Sequence, residues 1–352
     1  MKKINTYKNI MNNKIGIRVN GNESYKNLDN EDLLNALEST KNTKFNRYPD
    51  SDSKRLREEY GRLIDMPLEN IIAGNGSDEM ISLVIAAYVK RKSVVMTIKP
   101  DFSMYDFYVS LNNGVIKKFE TREDGSFSLD DFIAFGKEIN PNLIIISNPN
   151  NPTGHTLNNI EILKILDVFR ESKILIDEAY YEFYGQTMLK YVNEYKNLII
   201  TRTLSKAWGL AALRVGFLIS NEDNVVELNK YKVPYNLNQL SQDIACNIIN
   251  HPEKVIKNVE EIVSERERLY KNLKEIELRN KEIITFYPSK ANFIFAKSKY
   301  KDKIKADMEE QGILIRYFND DTFRISIGES WENDLIITVI KKALGYEVEN
   351  NV

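Results

Sequence analysis

Cysteine occurs once in this 352-residue chain, at Cys246, and histidine twice, at His155 and His251. A single thiol excludes an internal disulfide framework and any multi-cysteine metal site. Two imidazoles argue equally against a zinc centre built on several histidines. No apolar run reaches the ~18 residues that span a bilayer, so no membrane partner is expected. The first residues, Met1-Lys2-Lys3-Ile4-Asn5, are basic, but no apolar segment follows them. The expectation is therefore a cytoplasmic protein without a secretion signal. Neither sign of charge is in excess: Lys plus Arg is 49, Asp plus Glu is 51, and the net charge is −2. That balance disfavours a nucleic-acid partner. Low-complexity linkers and internal repeats are also missing. What is there, 42% hydrophobic and 28% charged residues, is an ordinary soluble globular composition rather than a disordered one. Chemistry must then come from Lys, Asp, Tyr, Arg or a bound cofactor.

The length suggests about two domains. In the middle of the chain, short β-branched runs alternate with helical patterns. Strands are expected at Ile71–Ala73, Val94–Thr97, Val115–Phe119, Leu143–Ser147, Ile174–Asp177, Leu198–Thr201 and Gly216–Ser220. Several are continuously apolar, as in strands covered on both faces. Helices are expected over Ser77–Lys90 and Asn158–Glu171. This alternation predicts an α/β domain with a mostly parallel sheet. Beyond about Leu240 the pattern changes to a long amphipathic helix, Glu253–Ile276. Short strands follow at Asn292–Phe295, Ile313–Ile315 and Phe323–Ile327, then a last helix, Asp334–Leu344. This reads as a smaller α+β domain, against which the N-terminal arm is expected to pack.

Ligands of open α/β sheets bind beyond the carboxyl ends of the strands, so the residues that follow each strand matter most. Gly74-Asn75-Gly76-Ser77-Asp78-Glu79 feeds a helix. It reads either as a phosphate site at a helix N-terminus or as a plain turn capped by Ser77 or Asp78. Glu79 stands where a dinucleotide fingerprint needs its third glycine. Phe102 follows the second strand and reads as core or as a stacking surface for a planar ligand. Asn148-Pro149-Asn150-Asn151-Pro152-Thr153-Gly154 is a stiff polar loop whose Asn151 amide can reach a ligand oxygen. Asp177 closes a buried strand and needs a partner, either a helix N-terminus or a cationic ring nitrogen. Tyr180 lies three residues on. Thr203-Leu204-Ser205-Lys206, with Arg214 eight residues later, combines hydroxyls, an amine and a guanidinium. Burial and neighbouring cations would lower the pKa of that amine and make it a nucleophile. His155 and His251 read as loop or helix-end residues, and Cys246 as a small buried hydrophobe.

Taken in order, Asn-Pro-Asn-Asn-Pro-Thr-Gly, Asp-Glu-Ala-Tyr, Thr-Leu-Ser-Lys and Leu-Arg-Val-Gly resemble the fold type I pyridoxal-phosphate (PLP) enzymes of the class I and II aminotransferases. The resemblance runs from about Arg18 to the last helix. Asn46-Arg47-Tyr48-Pro49-Asp50 and Gly76-Ser77-Asp78-Glu79 are similar to the histidinol-phosphate aminotransferase subfamily, to which phosphothreonine decarboxylases also belong. The resemblance implies an α/β fold of the PLP-dependent transferase type: an arm (1–40) packing with the small domain, a large PLP-binding domain (41–245) and a small C-terminal domain (246–352). It implies a homodimer with shared active sites.

It also implies residue roles. Lys206 links PLP covalently and then serves as general base. Asp177 pairs with the pyridine nitrogen, Asn151 and Tyr180 with the phenolic oxygen, and Phe102 stacks on the ring. Ser77, Asp78, Thr203, Ser205 and Arg214 hold the phosphate, joined by Tyr48 of the neighbouring subunit. Arg324 binds the substrate anion, with Arg316 as a second arginine. Asn22 is placed in substrate binding, although the arm motif has decayed there to Asn20-Gly21-Asn22-Glu23-Ser24-Tyr25. The arm tyrosine of the family has no clear equivalent, Tyr7 being the nearest. The implied reaction is histidinol phosphate plus 2-oxoglutarate to imidazole acetol phosphate plus glutamate, ping-pong through pyridoxamine phosphate. The alternatives are decarboxylation of a phosphorylated amino acid, transamination of aromatic or small phosphorylated amines, or a PLP-fold regulator without catalysis.

Overall fold

The computed structural model describes residues 16–346. Tyr7 lies outside the described residues. In chain order the elements begin with β1 (Ile17–Val19), α1 (Asn30–Glu38), α2 (Lys54–Ile64), β2 (Ile71–Asn75), α3 (Ser77–Tyr88), β3 (Val94–Lys99), α4 (Met104–Leu111) and β4 (Val115–Glu120). Next come α5 (Leu129–Ile139), β5 (Leu143–Ser147), α6 (Asn159–Val168), β6 (Lys173–Asp177), β7 (Leu198–Thr203), β8 (Val215–Ser220), α7 (Glu222–Asn229), α8 (Gln239–Ile249) and α9 (Pro252–Leu278). The chain closes with β9 (Ile284–Tyr287), β10 (Phe293–Ser298), α10 (Lys301–Glu310), β11 (Ile313–Tyr317), β12 (Thr322–Ser326) and α11 (Ser330–Ala343).

Seven strands form one sheet in the order β2-β8-β7-β6-β5-β3-β4. β8 runs antiparallel to both of its neighbours, and the other pairings are parallel. The continuous apolar runs are explained by burial on both faces. Ile144, Ile146, Ile174, Ile176 and Ile200 enter one core cluster, while Leu143, Ile145, Leu175 and Ile199 enter the other. Alternate side chains of one strand thus serve opposite layers.

The second sheet has the order β1-β11-β12-β10-β9. Arm strand β1 joins it parallel to β11, with Ile17 opposite Ile313. The expected change of unit at 245/246 falls inside α8, a continuous helix that packs on α1 and α2.

The predicted helix over Ser77–Lys90 ends at Tyr88, and the one over Asn158–Glu171 at Val168. Asn158 is not helical but caps α6, in a reciprocal capping box with Glu161. The last helix starts four residues before Asp334, because Glu329 and Glu332 form a second such box. Cys246 is buried, and its surroundings push the thiol up to about 12. His155 sits in a loop, and His251 precedes α9. No helix among the described residues is long and apolar enough to cross a membrane.

Candidate active site

The carboxyl ends of β5, β6 and β7 lie side by side, with Ser147 opposite Asp177 and Asp177 opposite Thr201. Asp177 is buried there. Its Oδ2 accepts the Tyr105 hydroxyl at 2.8 Å, and its Oδ1 accepts Thr201 Oγ1 at 3.2 Å. Burial pushes the carboxyl up to about 6, against the pull of both hydrogen bonds. The partners are neutral, so the site still favours a cation beside this acid. The Ala179 backbone N–H adds a further hydrogen bond to this carboxyl group.

Lys206 follows β7. Its Nζ donates to the Gly21 carbonyl at 3.0 Å and lies 5.8 Å from the centre of the Tyr180 ring. Burial, and then the Arg324 guanidinium, lower the amine to about 8. About a fifth of it is therefore neutral and nucleophilic near physiological pH, where an ordinary lysine would be almost wholly charged. Tyr180 is itself buried, which raises its hydroxyl to about 12 although Arg324 and an Asn22 hydrogen bond oppose the rise.

A cradle lies at the start of α3. Gly76 precedes the helix at φ +82°, so neither Ser77 nor Asp78 is the cap, and no side chain caps it. The first amides of the helix are thus left to a ligand. A Cβ on Gly76 would lie 2.6 Å from Arg214 Nη2. Arg214 donates to Ser205 Oγ at 3.3 Å and to Asp78 Oδ2 at 3.3 Å. Thr203 Oγ1 donates to Ser205 Oγ at 2.9 Å. Hydroxyls, guanidinium and helix end converge as an anion site would require. Gly216 packs beneath it, since a Cβ there would stand 2.3 Å from the Ser77 nitrogen.

Arg324 is only 7% exposed. Its Nη1 donates to Asn151 Oδ1, its Nη2 to the Asn20 carbonyl at 2.9 Å, and its guanidinium lies 5.1 Å from the Phe293 ring. Arg316 is the cross-strand partner of Arg324, so both project from one face of the sheet. Its guanidinium lies 5.9 Å from the centre of the Phe318 ring.

Three further expected residues are placed as follows. Asn22 is buried and hydrogen-bonded to Tyr180 and Ser326. Phe102 is half-buried and meets Tyr105 edge-on, with ring centres 5.6 Å apart. Tyr48 is 80% exposed and stacks on Tyr235, away from the set. Tyr105 and Thr201 were not anticipated as partners of Asp177. Tyr105 stands in the first turn of α4, three residues after Phe102, and that nearness to the strand end was the available signal. No cluster of acidic, histidine or cysteine side chains suited to a metal occurs among the described residues.

Residues 13–340 match the family described as aminotransferase class I and II. The chain is 39% identical over 333 residues to a histidinol-phosphate aminotransferase of Thermoanaerobacter pseudethanolicus, with 93% of each protein covered. Its structure resembles a histidinol-phosphate aminotransferase of Sinorhizobium meliloti solved with pyridoxal 5′-phosphate (TM-score 0.84, 21% identity, covering 94% of this chain and 91% of that one). It also resembles an L-threonine-O-3-phosphate decarboxylase of Porphyromonas gingivalis (TM-score 0.80, 20% identity, covering 93% and 99%). The two solved structures share the fold, and the match of sequence along nearly the whole chain decides the family. With its depressed lysine, its buried acid and its glycine-built anion cradle, the chain belongs to the class I and II aminotransferases, enzymes dependent on pyridoxal 5′-phosphate.

Proposed function

We propose that the enzyme moves the amino group of histidinol phosphate to 2-oxoglutarate, giving imidazole acetol phosphate and glutamate in ping-pong order. A relative 39% identical over 93% of the chain carries that activity in its name, which supports the choice of substrate. The observation that carries the reading is Arg324, a guanidinium held by Asn151 and Asn20 and close enough to Lys206 to lower its pKa. An arginine fixed beside a nucleophilic amine suits a substrate that bears an anion near its amino group.

When bound, PLP supplies the electron sink for cleaving a bond at the substrate's α-carbon. The surroundings suit it. Lys206 would take the covalent link and, once freed, carry the proton at its Nζ. Asp177 would meet the cationic ring nitrogen that its buried carboxylate favours. Asn151 and Tyr180 would take the phenolic oxygen, and Phe102 the ring face. The α3 amides of Ser77 and Asp78, with Thr203, Ser205 and Arg214, would hold the phosphate, joined by Tyr48 of a second copy. Arg324 would take the substrate's phosphate or carboxylate, with Arg316 in support. We assign the enzyme to a cytoplasmic homodimer of three-part protomers: arm 1–40, large domain 41–245 and small domain 246–352.

The test is an absorption titration of the PLP-loaded enzyme. Its visible band should bleach with histidinol phosphate and with glutamate, and return with 2-oxoglutarate. Bleaching by glutamate alone would discard the substrate. Release of CO2 from a phosphorylated amino acid, without need of 2-oxoglutarate, would replace transamination by decarboxylation.

A further inference from the structure

Three consecutive arm residues each touch one functional side chain. The Asn20 carbonyl accepts from Arg324 and the Gly21 carbonyl from Lys206, while Asn22 Nδ2 donates to Tyr180 Oη at 2.8 Å. The Asn22 contact is the most closely determined. Ser326 Oγ accepts the Asn22 backbone N–H at 2.8 Å and donates to Asn22 Oδ1 at 3.0 Å. In this arrangement the Ser326 hydroxyl spends its one hydrogen on Oδ1 and the NH2 group faces Tyr180; turning the amide over would take that acceptor away from Ser326. Asn292 Nδ2 donates to the Asn22 carbonyl at 3.1 Å and completes the lock.

We propose that Asn22 is a positioning residue for Tyr180, donating to the phenol oxygen so that the phenol's own hydrogen is directed to the cofactor. An amide NH2 has no acceptor to offer, so Tyr180 cannot spend its hydrogen on Asn22. Phe293 meets the ring edge-on at 5.3 Å and limits its rotation. The charges that act on Tyr180 are Arg324, Asp177 and Asp78, with Lys206 over its ring. The proposal rests on the reading of Tyr180 given above.

The test uses the full-length enzyme loaded with PLP and follows the pH midpoint of its visible band. A hydrogen bond from Tyr180 draws charge from the phenolic oxygen, which otherwise stabilises the protonated Lys206 linkage. Loss of that bond should raise the midpoint. Asn22 sits at φ +53°, where glycine is unstrained, so Asn22→Gly removes the amide and keeps both backbone contacts. We expect Asn22→Gly to raise the midpoint by roughly 0.5–1 pH unit, in the same direction as Tyr180→Phe. The double variant should match Tyr180→Phe alone, because the two act through one bond. Ser326→Ala, which frees the amide to turn over, should raise the midpoint by less and serves if Asn22→Gly does not fold. An unmoved midpoint in both Asn22→Gly and Ser326→Ala, or shifts that add in the double variant, would overturn the proposal. If Tyr180→Phe itself moves nothing, the reading of Tyr180 falls and this inference falls with it.

Discussion

Tyr105 and Asp177 form a closed pair: the phenol donates to the carboxylate at 2.8 Å, and both side chains are buried. The bond favours the ionised acid and opposes the upward push of burial. Tyr105→Phe should therefore raise the Asp177 pKa further above its present value of about 6. PLP binding to the apoprotein, which needs the carboxylate, should then begin to fail at a higher pH than in the wild type. Loss of this buried bond should also cost about 1–3 kcal/mol of stability, read by denaturant titration. A pH profile of binding unchanged by the substitution would show that the bond does not control the acid.

Lys206 titrates near 8 instead of 10.5. Its neutral form attacks, so the rate of PLP incorporation should climb through about pH 8 and level off above it. Arg324→Leu removes a cation that holds the amine down and should move that climb to higher pH. The linkage has a definite sign. Between about 8 and 10.5 the unfolded chain still binds the proton that the folded one has lost, so this group adds stability as pH rises through that window.

Gly76 and Gly216 are predicted to fail in different ways. Gly76→Ala introduces a methyl at φ +82° and 2.6 Å from Arg214 Nη2. The side chain of Arg214 can yield, so the fold should survive while PLP affinity drops at least about tenfold, the equivalent of one charge-assisted bond. Gly216→Ala places a methyl 2.3 Å from backbone atoms of Gly76 and Ser77, which cannot yield. Its melting temperature should fall clearly below that of Gly76→Ala.

Arg202 and Glu178 pair at 2.9 Å with both side chains 2% exposed, and Arg202 also lies 3.7 Å over the Tyr181 ring. Arg202→Met leaves the Glu178 charge buried without its partner and should cost about 3–5 kcal/mol. Adding Glu178→Gln should recover part of that loss in a double-mutant cycle.

The strands under the site were readable because both faces of the large sheet are covered. Leu143–Ser147 is apolar without alternation and is buried throughout. β1 and β9 escaped because three or four residues carry no period. α2 escaped because it is mostly charged, contains Gly61, and follows Ser53, whose side chain makes no capping bond. Lys206, Asp177, Tyr180 and Arg214 were visible as a set because each lies beside a legible strand: Asp177 ends β6, Tyr180 and Lys206 stand three residues beyond β6 and β7, and Arg214 directly precedes β8. Tyr105 was hidden among the aromatics of Met104-Tyr105-Asp106-Phe107-Tyr108. The side-chain partners of Asn22 stand 158 to 304 residues away from it, separations that no local pattern reports.

That separation bears on the order of events during synthesis. Every strand of the seven-stranded sheet lies between residues 71 and 220, so its register can be settled while the chain is still growing. The seat of β1 is β11, nearly 300 residues downstream, and Ser326 is made later still. Loop closure over such a length is slow beside the local pairings. The ribosome therefore delivers the parts of the anion cradle first, and β1 and β11 pair last. A nascent chain stopped short of β11 would hold Lys206, Asp177 and Arg214, yet its arm would have no strand to pair with and Arg324 would not have been made.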